Sequence, residues 1–160
     1  MTQKEIFLES LEAMGFEPIK FGEIGYAFQY EDMHYILFTD DDDEHFVRVA
    51  IPLMSEITDE NRIAVLEAMH ETGLVLKYVK VNIMFESAAW AIYDHHLTSL
   101  NNLTQLLEHI IRILEQAAYL FYRKLSGEDI IHSILSADDD DSDDDIEKEL
   151  EKMLMTMADE

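Results

Sequence analysis

The residues best suited to chemistry stand together at Asp94-His95-His96, a carboxylate followed by two imidazoles. Neutral imidazole and carboxylate are good ligands for transition metals, so a metal-dependent enzyme using this cluster is the catalytic reading the run invites. Spacing argues against it. Adjacent strand residues point to opposite faces, so both rings can share an ion only if the strand has already ended in a loop. The simpler expectation is a pair of surface histidines at a strand-to-helix turn. His34, His45, His70, His109 and His132 fall on different segments, and no HExxH spacing joins any of them. None is assigned to catalysis, and His109 reads as a packed or edge residue of a helix.

Other chemistries have less to stand on. The run Asp40-Asp41-Asp42-Asp43-Glu44 offers oxygens to a hard cation, but a calcium loop also needs a turn that converges them, so a solvated acidic hairpin is expected. Asp138 to Glu149 spaces acids somewhat like an EF-hand, yet Asp143 stands where such a loop requires glycine. No GxSxG elbow surrounds a serine, and no GxxxxGKS or GxGxxG phosphate loop is present. The absence of cysteine removes thiolate zinc sites, disulfides and a thiol nucleophile. With 35 acids in the chain, no pair of carboxylates is singled out for acid and base work. The expectation is a binding or regulatory module with no cofactor and no catalytic residue.

Charge narrows the partners. A formal net charge of −24 opposes the phosphate backbone, whose recognition rests on Lys and Arg, so nucleic acid is not expected. Residues 137–160 carry twelve acids and two lysines, which leaves −14 on the remainder; the body is itself acidic. No apolar run reaches the roughly 18 residues of a membrane span. The N-terminal MTQKEIFLESLEAMG is amphipathic and lacks the continuous apolar stretch of a signal peptide, so the cytoplasm is the expected compartment.

The elements that would position these residues are read from periodicity. Ile6, Phe7, Leu11 and Met14 share a helical face, with Thr2 and Glu5 as a capping box and Gly15 as the stop. After a connector over 16–22, Ile24, Tyr26, Phe28 and Tyr30 alternate as a strand, and Glu31-Asp32 turns into a second over 33–38. A third is expected over about 45–52. Thr58 is the expected N-cap of a helix whose buried face is Ile63, Leu66 and Met69 and which Gly73 ends. Strands over 74–85 and 88–93 form a hairpin turning at 86–87. The strongest helix opens at Ser99 or Asn101, carries Leu103, Leu106, Leu107, Ile110, Ile111, Leu114, Ala117, Ala118, Phe121 and Leu125 at three-and-four spacing, and stops at Ser126-Gly127.

A composition break comes next. Seven of the eight residues from Asp138 to Asp145 are aspartate, which resists compaction, and Ile146, Leu150, Met153, Leu154 and Met157 then recur at helical spacing. The division expected is an α+β domain over 1–127 and an acidic tail over 128–160 with a short amphipathic helix.

The order helix, three strands, helix, two strands, long helix resembles that of the type III secretion chaperone-like fold and of the YbjN family of sensory-transduction regulators. The residues that carry the likeness are Gly15 after a short first helix, the aromatic strands in GYAFQYEDMHYILF, and the run VKVNIMFESAAWAIYDHHL before a long apolar helix. It spans roughly residues 3–125. The resemblance implies an antiparallel sheet packed by helices, frequent homodimers, and a non-catalytic role in holding other proteins or modulating signalling. A protein partner is therefore expected. Trp90, Tyr93, Tyr119 and Tyr122 are the candidate contact residues, because amphipathic rings are enriched at interface centres.

Overall fold

The computed structural model describes residues 2–85, 87–130 and Lys152. The acidic run at 138–145, the amphipathic segment at 146–157 and His132 lie outside the described residues. The chain divides into two compact units, Met1–Glu128 and Asp129–Glu160, and the sheet with its three helices belongs to the first.

The class and the order of elements are those expected: α1 (Gln3–Ala13), a run of strands, α2 (Arg62–Val75), β5 (Val79–Met84), β6 (Ala88–His96) and α3 (Leu103–Leu125). The sheet has one strand more than expected. Four strands, β1 (Ile19–Phe21), β2 (Gly25–Tyr30), β3 (Met33–Phe38) and β4 (Phe46–Glu56), precede α2, and the six strands pair antiparallel in the order β1-β2-β3-β4-β6-β5. Three residues are too few for alternation to register, which is why β1 reads as connector.

Local chemistry sets several boundaries. The capping box at α1 forms as its spacing requires, Glu5 N–H donating to Thr2 Oγ1 at 3.2 Å and Thr2 N–H donating to Glu5 Oε2 at 3.0 Å. Gly15 leaves α1 at φ +94°, a conformation that glycine takes without steric cost. Gly25 is needed for a different reason: a Cβ there would stand 1.9 Å from the Leu37 carbonyl oxygen across the β2–β3 ladder.

Strand β4 runs on past Pro52 to Glu56 because its pairing with β6, interrupted between Ile51 and Ser55 where Leu53 takes φ +51°, resumes with Ser55 opposite Ala89 and Glu56 opposite Ala88. Proline, lacking a donor, is tolerated at such a bulge. Thr58 does not cap α2. Its hydroxyl accepts from Asn61 N–H at 3.2 Å while its own N–H donates to Asn61 Oδ1 at 2.7 Å, so the two close a turn and the helix starts at Arg62. Gly73 does not end α2 either, since the helix continues to Val75 and delays β5 to Val79. Asn102 stands at the head of α3 in the left-handed region at φ +62°, which asparagine adopts more readily than most residues.

All three helices lie on one face of the sheet. Phe7 and Leu11 of α1, Val65, Ala68 and Met69 of α2, and the α3 stripe pack with Phe28, Tyr35, Leu37, Val49, Ile51, Ala91 and Tyr93 in one core. Each large aliphatic or aromatic side chain so buried contributes about 1.5–3 kcal/mol. On the opposite face Ile36, Ala50, Ala88, Trp90 and Ile92 make a second buried cluster, every member of it a strand residue.

Candidate functional site

Asp94-His95-His96 ends β6 instead of occupying a loop, because the strand keeps pairing with β4 as far as Phe46 opposite His96. The strand geometry then separates the three. Asp94 and His96 share one face, and His95 takes the other with Tyr93 and Val47. The two imidazoles therefore do not converge. Among the described residues no group of three or more His, Cys, Asp or Glu side chains is placed to hold a metal.

Asp94 is engaged in a cross-strand ion network. Arg48, directly opposite on β4, donates from Nε to Oδ1 at 2.6 Å and from Nη2 to Oδ2 at 2.9 Å, and Lys80 Nζ stands 2.7 Å from Oδ2. Burial pushes the Asp94 carboxyl up, but the hydrogen bonds and positive charges of Arg48 and Lys80 outweigh it and hold the group below the usual carboxylate range. The Arg48 guanidinium is raised in turn by its bond to Asp94 and also lies over the rings of Phe38 and Phe46, 5.8 and 5.2 Å from their centroids. A carboxylate bound bidentate by arginine and again by lysine has little basicity left for metal or for proton abstraction.

His95 faces the helices. Burial, then the nearby His96 and His109, lower its pKa. The Tyr93 ring lies 6.4 Å from His95 and 6.1 Å from His109, with Tyr78 6.1 Å from His109, an aromatic packing arrangement under α3. His96 lies 5.4 Å from the ring of His45, whose Nδ1 donates to the Leu97 carbonyl at 3.0 Å.

The four candidate contact aromatics do not form one surface. Tyr93 is buried beneath the helices and Trp90 is buried on the opposite face, where its ring meets Phe85 at 5.3 Å and Phe38 at 6.3 Å. Tyr119 and Tyr122 are exposed, three residues apart on α3, with Arg123 over the Tyr119 ring at 5.4 Å.

A surface that the spacing did not single out lies on α2. Its buried side is Val65, Ala68, Met69 and Thr72, so Ile63 and Leu66, expected inside with Met69, point outward instead. Ile63 is 75% exposed, Leu66 39% and Leu74 63%. Positions 63, 66, 70 and 74 succeed one another at three-and-four spacing, which makes Ile63, Leu66, His70 and Leu74 a solvent-facing stripe. A signal was present: α2 is apolar on nearly every side, so its periodicity could not show which side the core takes. A cleft of about 570 Å³ lies elsewhere, between the start of α1, the loop joining β3 to β4 and the segment after β6.

No protein-family model matches the chain, and no curated protein matches it. Solved structures do. The chain is similar to the crystal structure of YbjN from E. coli, described as a "putative transcription regulator", with a TM-score of 0.54 over 73% of this chain and 87% of that one, at 8% identity. The fold is YbjN-like. Identity at that level speaks to the backbone alone, so the YbjN-like frame accounts for the sheet and its helices and leaves the surface residues to be argued from their own chemistry.

Proposed function

We propose that this chain is a non-catalytic regulatory module that works through protein contacts, the first of them with a second copy of itself across the outer face of α2. The observation that carries this reading is the exposed stripe of Ile63, Leu66 and Leu74. Large aliphatic groups at helical spacing on both sides of one helix are the mark of a helix covered twice. A two-fold contact would set the stripe against its own copy, because a C2 interface uses the same patch on both subunits. Its apolar burial has to offset the repulsion of two acidic bodies, so the dimer should tighten with added salt, which screens that repulsion.

The commitment of Asp94 to Arg48 and Lys80 and the divergence of His95 from His96 support the non-catalytic part of the reading. Light scattering across a concentration series tests the contact: a mass of twice 18.6 kDa is expected, reverting to one copy in Ile63→Glu with Leu74→Glu while circular dichroism stays unchanged. A single copy at every concentration and salt would remove the proposal.

A further inference from the structure

The sheet ends in two unequal edges. β1 has three residues, too short a template for another strand, whereas all six residues of β5 pair with β6 in unbroken register, without a bulge or a proline. Which backbone groups of β5 lie free follows from the ladder. At the two ends of β6, Leu97 N–H donates to the His45 carbonyl and the Ser87 carbonyl accepts from Ile57 N–H, so odd-numbered residues of this strand bond toward β4 and even-numbered ones toward β5. Lys80, Asn82 and Met84, opposite Ile92, Trp90 and Ala88, therefore bond to β6. Val79, Val81 and Ile83 turn N–H and C=O outward, where no partner meets them among the described residues. A lysine often protects such an edge by its charge. Here the Lys80 ammonium is drawn back to Asp94 at 2.7 Å, which neutralises the charge that would repel a second strand.

Helix α2 lies against β5 and runs antiparallel to it, since only residues 76–78 join the two. Glu71 marks the side of the helix toward α3, through Lys124. At about 100° per residue, Leu66 and Gly73 stand about 140–160° round from Glu71, on the side of the open edge. The space there is clear: a Cβ on Gly73 would meet nothing within 4 Å.

We infer that β5 pairs antiparallel with β5 of a second copy about a two-fold axis through Val81, an inference that rests on the two-copy reading of the α2 face and gives that contact its register. Val79 then faces the partner's Ile83 and Val81 faces the partner's Val81, each pair exchanging both N–H···O bonds. Sliding one copy by two residues in one direction would set Lys80 against the partner's Lys80. Sliding it the other way would leave Val79 opposite Phe85, which has left the strand at φ +53°. Charge and strand length thus select the same register. Lys77 comes opposite the partner's Phe85, an exposed ring instead of another cation. The axis also brings Leu74 of one α2 beside the partner's Ile63, because Leu74 lies at the Val79 end of the strand and Ile63 at its Ile83 end. Sheet edge and helix stripe call for one partner in one orientation.

Disulfide trapping in the full chain tests the register, since the chain has no cysteine of its own. Lys80 and the partner's Asn82 stand opposite each other on the sheet face away from α2, as a non-hydrogen-bonded pair whose side chains approach closely enough for a disulfide. A mixture of Lys80→Cys and Asn82→Cys chains is expected to give about tenfold more covalent dimer than either alone. Self-linking of either variant as fast as the mixture overturns the register. In the wild-type chain, amide exchange at Val79, Val81 and Ile83 should slow by about tenfold or more from dilute to concentrated protein, while Lys80, Asn82 and Met84, bonded to β6 in both, change less. Equal exchange of the three outward amides at both concentrations, in protein that light scattering shows to be a dimer, overturns the strand pairing and leaves the α2 contact standing. In-register cross-linking that persists in Ile63→Glu with Leu74→Glu does the reverse, and a chain that stays a single copy removes both.

Discussion

Helices α2 and α3 pack on the same sheet face, yet they present opposite relations between pattern and burial. Along α3 the buried positions Leu103, Leu107, Ile110, Ile111, Leu114, Ala117, Ala118, Leu120 and Phe121, bordered by half-buried Leu106, Ile113 and Leu125, make one broad apolar side, and the large apolar residues left exposed are Tyr119 and Tyr122. Along α2 three of the buried residues are small, Val65, Ala68 and Thr72, with Met69 beside them at the margin of the core, while the large Ile63, Leu66 and Leu74 face solvent. A helix with a single apolar side can be docked only one way, so α3 was oriented by its own residues. A helix with two is oriented by whichever side fits the space left on the sheet, and small residues let α2 approach closely. The difference separates a helix that serves the core alone from one with surface to spare.

The largest effect should come from α3. Phe121→Ala removes a fully buried ring and is expected to cost about 3–5 kcal/mol in urea unfolding. Met69→Ala on the inner side of α2 should cost about 2 kcal/mol, the low end for its type, because the site lies at the margin of the core. Ile63→Ala on the outer side should change the stability of an isolated copy by no more than about 0.5 kcal/mol, with any further loss growing with protein concentration as expected for a contact between copies. A large loss at Ile63 in dilute protein would break the contrast.

Acid should act on the face beneath α3 and on the opposite face by distinct groups. His95 has a folded-state pKa below its ordinary 6.5, so the folded form resists protonation and stability falls as pH drops below that value. His95→Gln should flatten this limb. Asp94 is also depressed, so its contribution persists above the ordinary carboxylate pKa and is lost as pH falls through its lower folded value; Asp94→Asn should flatten only that more acidic limb. Unfolding midpoints measured from pH 8 down to pH 3 resolve the two.

A modest effect joins the helices. Lys124 Nζ stands 2.8 Å from Glu71 Oε2, with both side chains about a quarter exposed, and a double-mutant cycle should return a coupling of about 0.5–1 kcal/mol that shrinks in high salt. A coupling near zero would mean that α2 is placed against α3 by shape alone.

Much of the frame could be read from the residues before any tertiary information. The α1 capping box, the stop at Gly15, the pairing of β2 with β3, and the buried stripe and end of α3 come from local rules, because each depends on neighbours within a few positions, whereas α3 starts at Leu103 after Asn102 and not at Ser99 or Asn101. The misreadings share another cause. Thr58 was diverted by Asn61, β6 was prolonged by a partner starting at Phe46, and three residues became β1 only because β2 offered an edge. The same applies to the chemistry: three adjacent residues suggested a metal cluster until cross-strand pairing gave Asp94 to Arg48 and Lys80 and turned His95 from His96.

The sequence by itself determined that this chain makes an acidic α+β domain with a long amphipathic helix at its end, since composition and a strong 3.6-residue period act along the chain and need no distant contact. Tertiary structure alone decided which side of α2 faces solvent and what Asp94 binds. Each of these depends on side chains from separated segments meeting across the sheet, and that proximity is set by strand register, which no local spacing encodes.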